Sequence, residues 1–373
     1  MNIIKKAFWG ILCASAFCVG AQAQSPTKHI YLYKNGTVVF RANAEDVDSV
    51  ALEENKTVIG FYKHGNNQAV YKAPYSDIDS LSYTAPQAQA DLLDIKFDEM
   101  GSCWDNSPLG LLVVPTNNNG TAEVDYNKTY ETWESHFYGN SWAGSPKNTC
   151  FKVDYSQNDY FKEKLSDGHT LECLFKVDYD GTIADSEAKF FAAHEGGGTG
   201  FKNRGKNGGN EITFLPNVTK NGNSNWIWGT SGIVPQPGRY YHIVGVWNKE
   251  EGKAYIYVDG QLMNVVAAEG ELRLPPSEAA QWFGVGCDAN ASNGAQCADS
   301  HIVLARVYDK ALSQSEVDGL WNEVAEKAKV PVADLLDVQF TKEGGAVDIS
   351  PMQNEVQVIS PNNKIETYYN KYY

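Results

Sequence analysis

The stretch that decides the fold is residues 240–261, YYHIVGVWNKEEGKAYIYVDGQ. Two runs rich in β-branched and aromatic residues, HIVGVW and AYIYV, flank a polar segment in which Gly252 can take a positive φ. This pattern predicts a β-hairpin. Both faces of the first run carry bulky side chains, so we expect that strand to be covered on both sides. Asp259 and Gly260 then predict a second chain reversal.

This hairpin resembles the centre of laminin-G-like domains of the concanavalin A-like group, where an aromatic-His-x-Val-x-Val strand is followed by a Tyr-Val-Asp-Gly strand end. Residues 189–201, KFFAAHEGGGTGF, are similar to the family's element of strand, glycine turn and strand. Residues 301–320 are similar to its closing strand and short helix. The resemblance implies that residues 91–327 form an all-β jelly roll, in which two antiparallel sheets pack as a sandwich behind a small β module.

One substantial helix is predicted in this domain, over residues 313–327. Ser313 and Glu316 have the spacing of a capping box, in which each side chain bonds the backbone of the other. The apolar residues that follow are spaced to lie on one face of a helix; they are Val317, Leu320, Trp321 and Val324.

The first 23 residues read as a secretory signal peptide. Lys5 and Lys6 precede an apolar run that ends in Ala-Gln-Ala, and the run is too short for a membrane span. Removing the two lysines takes the formal net charge from −15 to −17. A chain this acidic, without a basic cluster, is not expected to bind nucleic acid. We therefore expect a secreted, periplasmic or cell-surface protein.

Residues 24–84 contain two copies of one short pattern. Tyr33-Lys34-Asn35-Gly36 returns as Tyr62-Lys63-His64-Gly65, and each copy continues with a β-rich run and an Asp-x-Asp-Ser segment. That segment lacks the spacing and the glycine of an EF-hand loop and is typical of a solvated strand entry. The pattern predicts a small β module, joined by a linker at residues 85–90, APQAQA, to the larger domain.

A longer repeat predicts a second laminin-G-like domain. Residues 91–109 align without a gap to residues 334–352, and residues 334–373 are interpreted as the start of that truncated repeat. Asp105 recurs as Asp348 within an Asp-x-Ser turn. In related domains such a turn lies at a calcium site or caps the chain. Calcium is therefore the cofactor that the resemblance implies, with Asp105 and Asp299 as candidate metal ligands.

Five cysteines remain after the signal peptide. Cys287 and Cys297 bracket a loop of small and polar residues between two β-like runs, and an oxidising compartment would favour a disulfide between them. The alternative is that both are small buried apolar residues.

The sequence contains no catalytic motif that we can recognise. It lacks the Glu-x-Asp-x-x-Glu string of jelly-roll glucanases and the Gly-x-Ser-x-Gly elbow of serine hydrolases. The Bacteroidetes proteins that this chain resembles often carry a calcineurin-like metallophosphoesterase further along. Of its motifs only Asp167-Gly168-His169 is a partial match, which we interpret as a turn. The chain is thus not expected to be an enzyme as given.

Binding is the remaining function, and carbohydrate is the leading ligand class, because aromatic rings stack on sugars while polar loops reach hydroxyl groups. The candidate residues are Trp226, Trp228, Tyr138, Trp142, Asn203 and Arg204. Since tryptophan is usually buried, the alternative is that Trp226 and Trp228 line the core, and the sequence favours that alternative. The predicted function is a glycan- or protein-binding surface module, or alternatively the targeting front end of a secreted hydrolase.

Overall fold

A computed structural model describes ten segments of the chain: residues 29–35, 37–47, 49–53, 57–63, 69–82, 85–116, 121–138, 150–178, 188–287 and 296–328. It also describes the backbone of residues 338–340 and 346–348. The predicted signal peptide, residues 1–23, lies outside the described residues.

The first sheet of the sandwich has nine antiparallel strands. They are β7 (Leu93–Phe97), β8 (Cys103–Asp105), β10 (Glu123–Asn127), β11 (Thr132–Phe137), β13 (His169–Val177), β20 (Tyr240–Asn248), β21 (Lys253–Val258), β22 (Gln261–Ala267) and β25 (Ser300–Tyr308). Their order is β10-β11-β25-β13-β20-β21-β22, and β7 pairs with β25 and with β8. The predicted hairpin therefore lies within the largest sheet.

The second sheet has seven strands, also antiparallel. They are β9 (Val113–Pro115), β12 (Phe151–Asp154), β14 (Lys189–Ala192), β15 (Gly200–Asn203), β16 (Ile212–Phe214), β19 (Gly229–Thr230) and β24 (Trp282–Val285), in the order β19-β16-β15-β14-β24-β12-β9. A small sheet flanks it, built from β17 (Asn217–Lys220), β18 (Asn223–Trp226) and β23 (Glu271–Leu272). Two stacked antiparallel sheets are the predicted jelly-roll architecture, and the all-β assignment is confirmed.

The hairpin of β20 and β21 forms as predicted. Gly252 has φ 61°, and the second reversal has positive φ at both Asp259 and Gly260, 50° and 75°. Two successive positive φ values are the geometry of a type I′ turn, which leads directly into β22. Every residue of β20 except its two ends is buried, so the strand is covered on both faces.

Gly245 shows why the two faces of β20 differ. A Cβ at this position would lie 2.4 Å from the Phe214 ring and 2.9 Å from the Phe201 ring, so glycine lets the second sheet approach closely. Ile243 and Trp247, on the same face, belong to the main apolar core between the sheets. The opposite face packs beneath a helix, in a smaller cluster that contains Val244, Val246, Val317 and Leu320.

Two α-helices are described rather than the one predicted. Helix α2 (Gln314–Lys327) has Ser313 as its N-cap in a complete capping box, as predicted. Helix α1 (Asp159–Asp167) was not predicted; Asn158 caps it, and it buries only Phe161 and Leu165. Among the described residues no helix is long and apolar enough to cross a membrane.

The N-terminal module pairs the two copies of its repeat with each other. Its strands are β1 (His29–Lys34), β2 (Thr37–Asn43), β3 (Ser49–Glu53), β4 (Val58–Tyr62), β5 (Ala69–Pro74) and β6 (Ser80–Ser82). The third strand of each copy joins the other copy's sheet, giving β2-β1-β6 and β3-β4-β5. Tyr31 and Arg41 of this module both donate hydrogen bonds to the buried Asp318 carboxylate of α2.

The second repeat begins with a hairpin that matches the first. Strands β26 (Val338–Phe340) and β27 (Ala346–Asp348) pair so that Val338 lies opposite Asp348. In β7 and β8, Ile95 lies opposite Asp105 in the same register. The remainder of residues 334–373 lies outside the described residues.

Candidate functional site

The predicted tryptophan pair lies on and after the hairpin of β17 and β18. Asn221 and Gly222 join these strands with φ values of 52° and 78°, again a type I′ turn. The hairpin residues from 221 to 225 are exposed. Trp226 and Trp228 are half-buried, and neither belongs to the apolar clusters of the described residues. The structure therefore does not place them in the core, which the sequence had favoured.

Each of these two indoles is fixed by one neighbouring side chain. The His194 ring meets Trp226 edge to face, with centroids 5.1 Å apart and an interplanar angle of 81°. Lys202 Nζ lies 5.3 Å from the centroid of Trp228, within the range of a cation–π contact. We call these four residues the tryptophan face. Its two aromatic rings are held in place and keep part of their surface in solvent.

His194 is a structural member of this face. Its Nε2 donates to the carbonyl oxygen of Leu215 at 2.8 Å. Burial holds the pKa of His194 well below its ordinary value. The imidazole is consequently neutral at pH 7 and contacts Trp226 as an uncharged ring.

The other four candidate residues do not join the tryptophan face as a group. Asn203, at the end of β15, is fully buried, and its side-chain amide has no hydrogen-bond partner among the described residues. Arg204, next to it, is half-buried. Tyr138 follows β11 in the other sheet and donates to Glu123. Trp142 lies outside the described residues.

Asp105 and Asp299 do not fit the predicted calcium site. The Asp105 carboxylate accepts four hydrogen bonds, from the backbone N–H groups of Asp94, Ser107 and Leu111 and from the Ser107 hydroxyl, at 2.8–2.9 Å. It thus caps its own turn, the second of the two sequence-based alternatives. Asp105 lies opposite Ile95 of β7, which in turn lies opposite Ala305 of β25. Ala305 is six residues after Asp299, so the two aspartates are separated by about 20 Å along the strand direction.

Asp299 instead joins a cluster that sequence reasoning missed. His136 and His301 lie opposite each other on β11 and β25, and their rings stack with centroids 4.1 Å apart. His136 Nε2 lies 3.3 Å from an oxygen of Asp178 and 3.3 Å from an oxygen of Asp299. His301 Nε2 lies 2.9 Å from the same Asp178 oxygen. We call these four residues the histidine cluster; the Tyr138 ring packs 4.1 Å from the His136 ring beside it.

Glu134 lies next to the histidine cluster and contacts His301. Its Oε1 lies 3.0 Å from His301 Nδ1, while Tyr240 and Asn127 donate to its Oε2 at 2.6 Å. Burial alone would raise the pKa of Glu134, but these hydrogen bonds and the charge of Lys176 lower it to about 2. The carboxylate is therefore held ionised next to His301.

A second buried carboxylate, Glu172, lies under helix α2. Its oxygens contact His242 Nε2 at 2.8 Å, Arg306 Nη1 at 3.3 Å and the Tyr308 hydroxyl at 2.5 Å. Burial would raise the pKa of Glu172, but Arg306 and His242 lower it to about 2. Glu172 and His242 are sealed from solvent, so this network stabilises the fold rather than contacting a ligand.

Three buried cysteines meet between the sheets, and none of the five described cysteines forms a disulfide. Cys150 Sγ lies 3.0 Å from Cys297 Sγ, and the Cys150 thiol also hydrogen-bonds Cys287. Cys150 thus competes with Cys287 for Cys297, which the sequence did not indicate. Burial raises the pKa of the Cys150 thiol well above its ordinary value.

The partial metallophosphoesterase motif is structural. Asp167 ends helix α1, Gly168 has φ 127°, and His169 begins β13. His169 is fully buried, and burial lowers its pKa to about 4. The segment is a helix-to-strand turn, as interpreted from the sequence.

Comparison with known families supports the fold. A family model described as the concanavalin A-like lectin/glucanases superfamily, of the laminin G type, matches residues 154–318. This match and the two packed antiparallel sheets define a concanavalin A-like sandwich. No curated protein matches the chain.

Several solved structures are similar to part of the chain at low sequence identity. The binding domain of botulinum neurotoxin serotype D has 14% identity and a TM-score of 0.43, with 62% of this chain and 50% of that chain covered. Domain 4 of AbnA, an extracellular arabinanase from Geobacillus stearothermophilus in complex with arabinotriose, has 12% identity and a TM-score of 0.43, with 61% and 97% covered. The botulinum neurotoxin type G receptor binding domain has 13% identity and a TM-score of 0.42, with 63% and 51% covered. The chain spans about half the length of the neurotoxin chains.

Proposed function

We propose that this protein is a secreted, non-catalytic binding module that holds a carbohydrate ligand, such as a surface glycan, on the tryptophan face. The observation that carries the proposal is the position of Trp226 and Trp228, which are fixed by His194 and Lys202 yet partly exposed outside the apolar core. Aromatic rings held in this way present flat apolar surfaces to the C–H faces of a sugar.

The polar surroundings of these rings suit the same ligand class. Asn223, Ser224 and Asn225 are exposed on β18, directly before Trp226. Their amide and hydroxyl groups can both donate and accept hydrogen bonds, as sugar hydroxyl groups require. Because such a site orders a polar ligand with few contacts, we expect a dissociation constant on the order of micromolar to millimolar.

The two buried glutamates are unsuited to act as general acids. A general acid for glycoside cleavage needs a pKa raised toward neutrality. Glu134 and Glu172 both have pKa values lowered to about 2. Incubation with the bound oligosaccharide, followed by chromatography, should recover it unchanged; product formation that ends when one carboxylate is replaced would contradict this part of the proposal.

A second role is compatible with the first, namely a targeting module of a larger secreted hydrolase. The hairpin of β26 and β27, which repeats the register of β7 and β8, favours a protein built from more than one such domain. In that role the tryptophan face would deliver the hydrolase to its substrate surface. This targeting role would be supported if the module binds a glycan that a larger protein containing it degrades.

Replacing Trp228 by Ala is expected to weaken glycan binding about thirtyfold or more, because losing a central aromatic anchor typically costs at least about 2 kcal/mol of binding free energy. Binding can be measured by isothermal titration with an oligosaccharide selected on a glycan array. Trp104→Ala is the matched control, since Trp104 is 42% exposed on β8 in the other sheet. Equal affinity of both folded variants for the oligosaccharide would count against the tryptophan face.

A further inference from the structure

The histidine cluster has the composition of a transition-metal site. It brings together two imidazole nitrogens and two carboxylate oxygens, and the ligand atoms of His136, Asp178 and His301 all lie within 4.8 Å of one another. Imidazole favours zinc and its neighbours in the first transition row, whereas calcium and magnesium take oxygen ligands. The donor set therefore points to zinc-like ions rather than to the calcium that the Asp-x-Ser turn suggested.

The distances within the cluster also suit a bound ion. Zinc takes nitrogen and oxygen ligands at about 2.0–2.2 Å, so neighbouring ligand atoms in a tetrahedral site lie about 3.3–3.6 Å apart. The ligand pairs His136–Asp178 and His136–Asp299 are 3.3 Å apart, and His301–Asp178 is 2.9 Å. The two ring planes are only 15° apart, so binding of both histidines to one ion requires His136 to rotate out of the stack. His136 is half-buried and belongs to the outer part of the cluster together with the exposed Asp178.

The surroundings hold these ligands as they do in known metal centres. A histidine that binds a metal usually presents its second ring nitrogen to a carboxylate, which fixes the orientation of the ring. His301 Nδ1 lies 3.0 Å from Glu134 Oε1, an ion-pair distance without hydrogen-bond geometry, and Glu134 is itself held by Asn127, Tyr240 and Lys176. These groups stand on adjacent strands of the nine-stranded sheet, which gives the site a rigid base.

The cluster is separate from the tryptophan face. The histidine cluster lies at the end of β13, where Val177 is followed by Asp178. At the start of the same strand, His169 contacts Thr199, whose carbonyl oxygen accepts a hydrogen bond from Ala193, the neighbour of His194. The nine residues of β13 span about 30 Å. Any ion here is consequently remote from a ligand on Trp226.

We propose that His136, His301, Asp178 and Asp299 bind one divalent transition-metal ion, with Zn²⁺ as the preferred ion and Glu134 as the residue that positions His301. Asp178 is exposed, so the ion is accessible from solvent. It would tie β11, β13 and β25 together at one end of the sandwich.

The test is Zn²⁺ titration of the untagged, metal-free chain by calorimetry, together with Co²⁺ absorption spectroscopy. We expect one Zn²⁺ per chain, a raised Tm, and visible Co²⁺ bands typical of four-coordinate nitrogen and oxygen ligation. His136→Gln and Asp178→Asn should each weaken Zn²⁺ binding at least tenfold. Asp125→Asn is the matched control, because Asp125 is an exposed carboxylate on the neighbouring strand β10 and removing it changes the charge equally.

Three outcomes would overturn the proposal. One is the absence of Zn²⁺ binding up to millimolar concentration. Another is Zn²⁺ binding that persists in the double variant His136→Gln/Asp178→Asn and is lost when thiols are blocked, which would assign the ion to the cysteines. The third is equal weakening by Asp125→Asn, which would indicate attraction by general negative charge.

Discussion

Refolding the chain in a glutathione redox buffer is expected to join Cys150 to Cys297 and to raise the free energy of unfolding by about 5 kcal/mol over the reduced protein. These sulfurs lie 3.0 Å apart, and the residues are 147 positions apart in the chain. Closing so long a loop restricts the unfolded chain strongly. A bond between Cys287 and Cys297, only ten positions apart, would add about 3 kcal/mol by the same entropy argument.

Refolding is necessary because the buried Cys150 thiol has a raised pKa and exchanges slowly in the native protein. Mass spectrometry of a non-reduced digest identifies the linked peptides, and urea unfolding gives the stability. Cys173→Ala is the control, since Cys173 is buried elsewhere in the core and should leave the linkage unchanged. A dominant peptide that links Cys287 to Cys297 would support the sequence-based pairing and contradict the expected bond between Cys150 and Cys297.

Replacing Glu172 by Gln is expected to destabilise the protein by about 3 kcal/mol at pH 7. A pKa lowered from 4.5 to about 2 in a fully buried group corresponds to roughly that free energy. The variant also leaves Arg306 and His242 without their shared carboxylate, and breaking a buried ion pair typically costs about 3–5 kcal/mol. Urea unfolding at pH 7 measures the difference.

The pH dependence of the same variant gives an independent check. Because folding lowers the pKa of Glu172, its stabilisation is present above about pH 4.5 and is lost as the pH falls toward 2. The stability gap between wild type and Glu172→Gln should therefore narrow over that range. Glu163→Gln, at an exposed position of α1, should change stability by less than about 0.5 kcal/mol. A gap that is constant with pH would show that the carboxylate charge is not what stabilises the network.

The sequence predicted turns and a helix cap correctly, because these features depend on residues that are neighbours in the chain. Gly252 and the pair Asp259 and Gly260 supply the positive φ values of two turns, and Ser313 with Glu316 completes a capping box. Helix α1 was missed because it buries only two residues of nine. The exchange of strands between the two copies in the N-terminal module could not be predicted, since identical local patterns do not specify which copy supplies a partner.

The candidate sites depend on contacts that are distant in sequence. His136 and His301 are 165 positions apart and meet only because β11 pairs with β25. No strand or helix was predicted next to Cys150. The sequence therefore gave no indication that Cys150 lies close to Cys297. The tryptophan pair was ambiguous because period-two spacing is equally typical of core and surface. The structure adds that β18 ends at Trp226, so the two indoles do not lie on one continuous strand.

The most direct test of the proposed function is an NMR titration of the indole N–H resonances of the ¹⁵N-labelled protein with an oligosaccharide that binds it. We predict that the resonances of Trp226 and Trp228 shift with the ligand. That of Trp247, whose buried Nε1 donates to the Ala268 carbonyl oxygen, should stay unchanged. Saturation of the protein with ligand while both resonances remain in place would contradict the account.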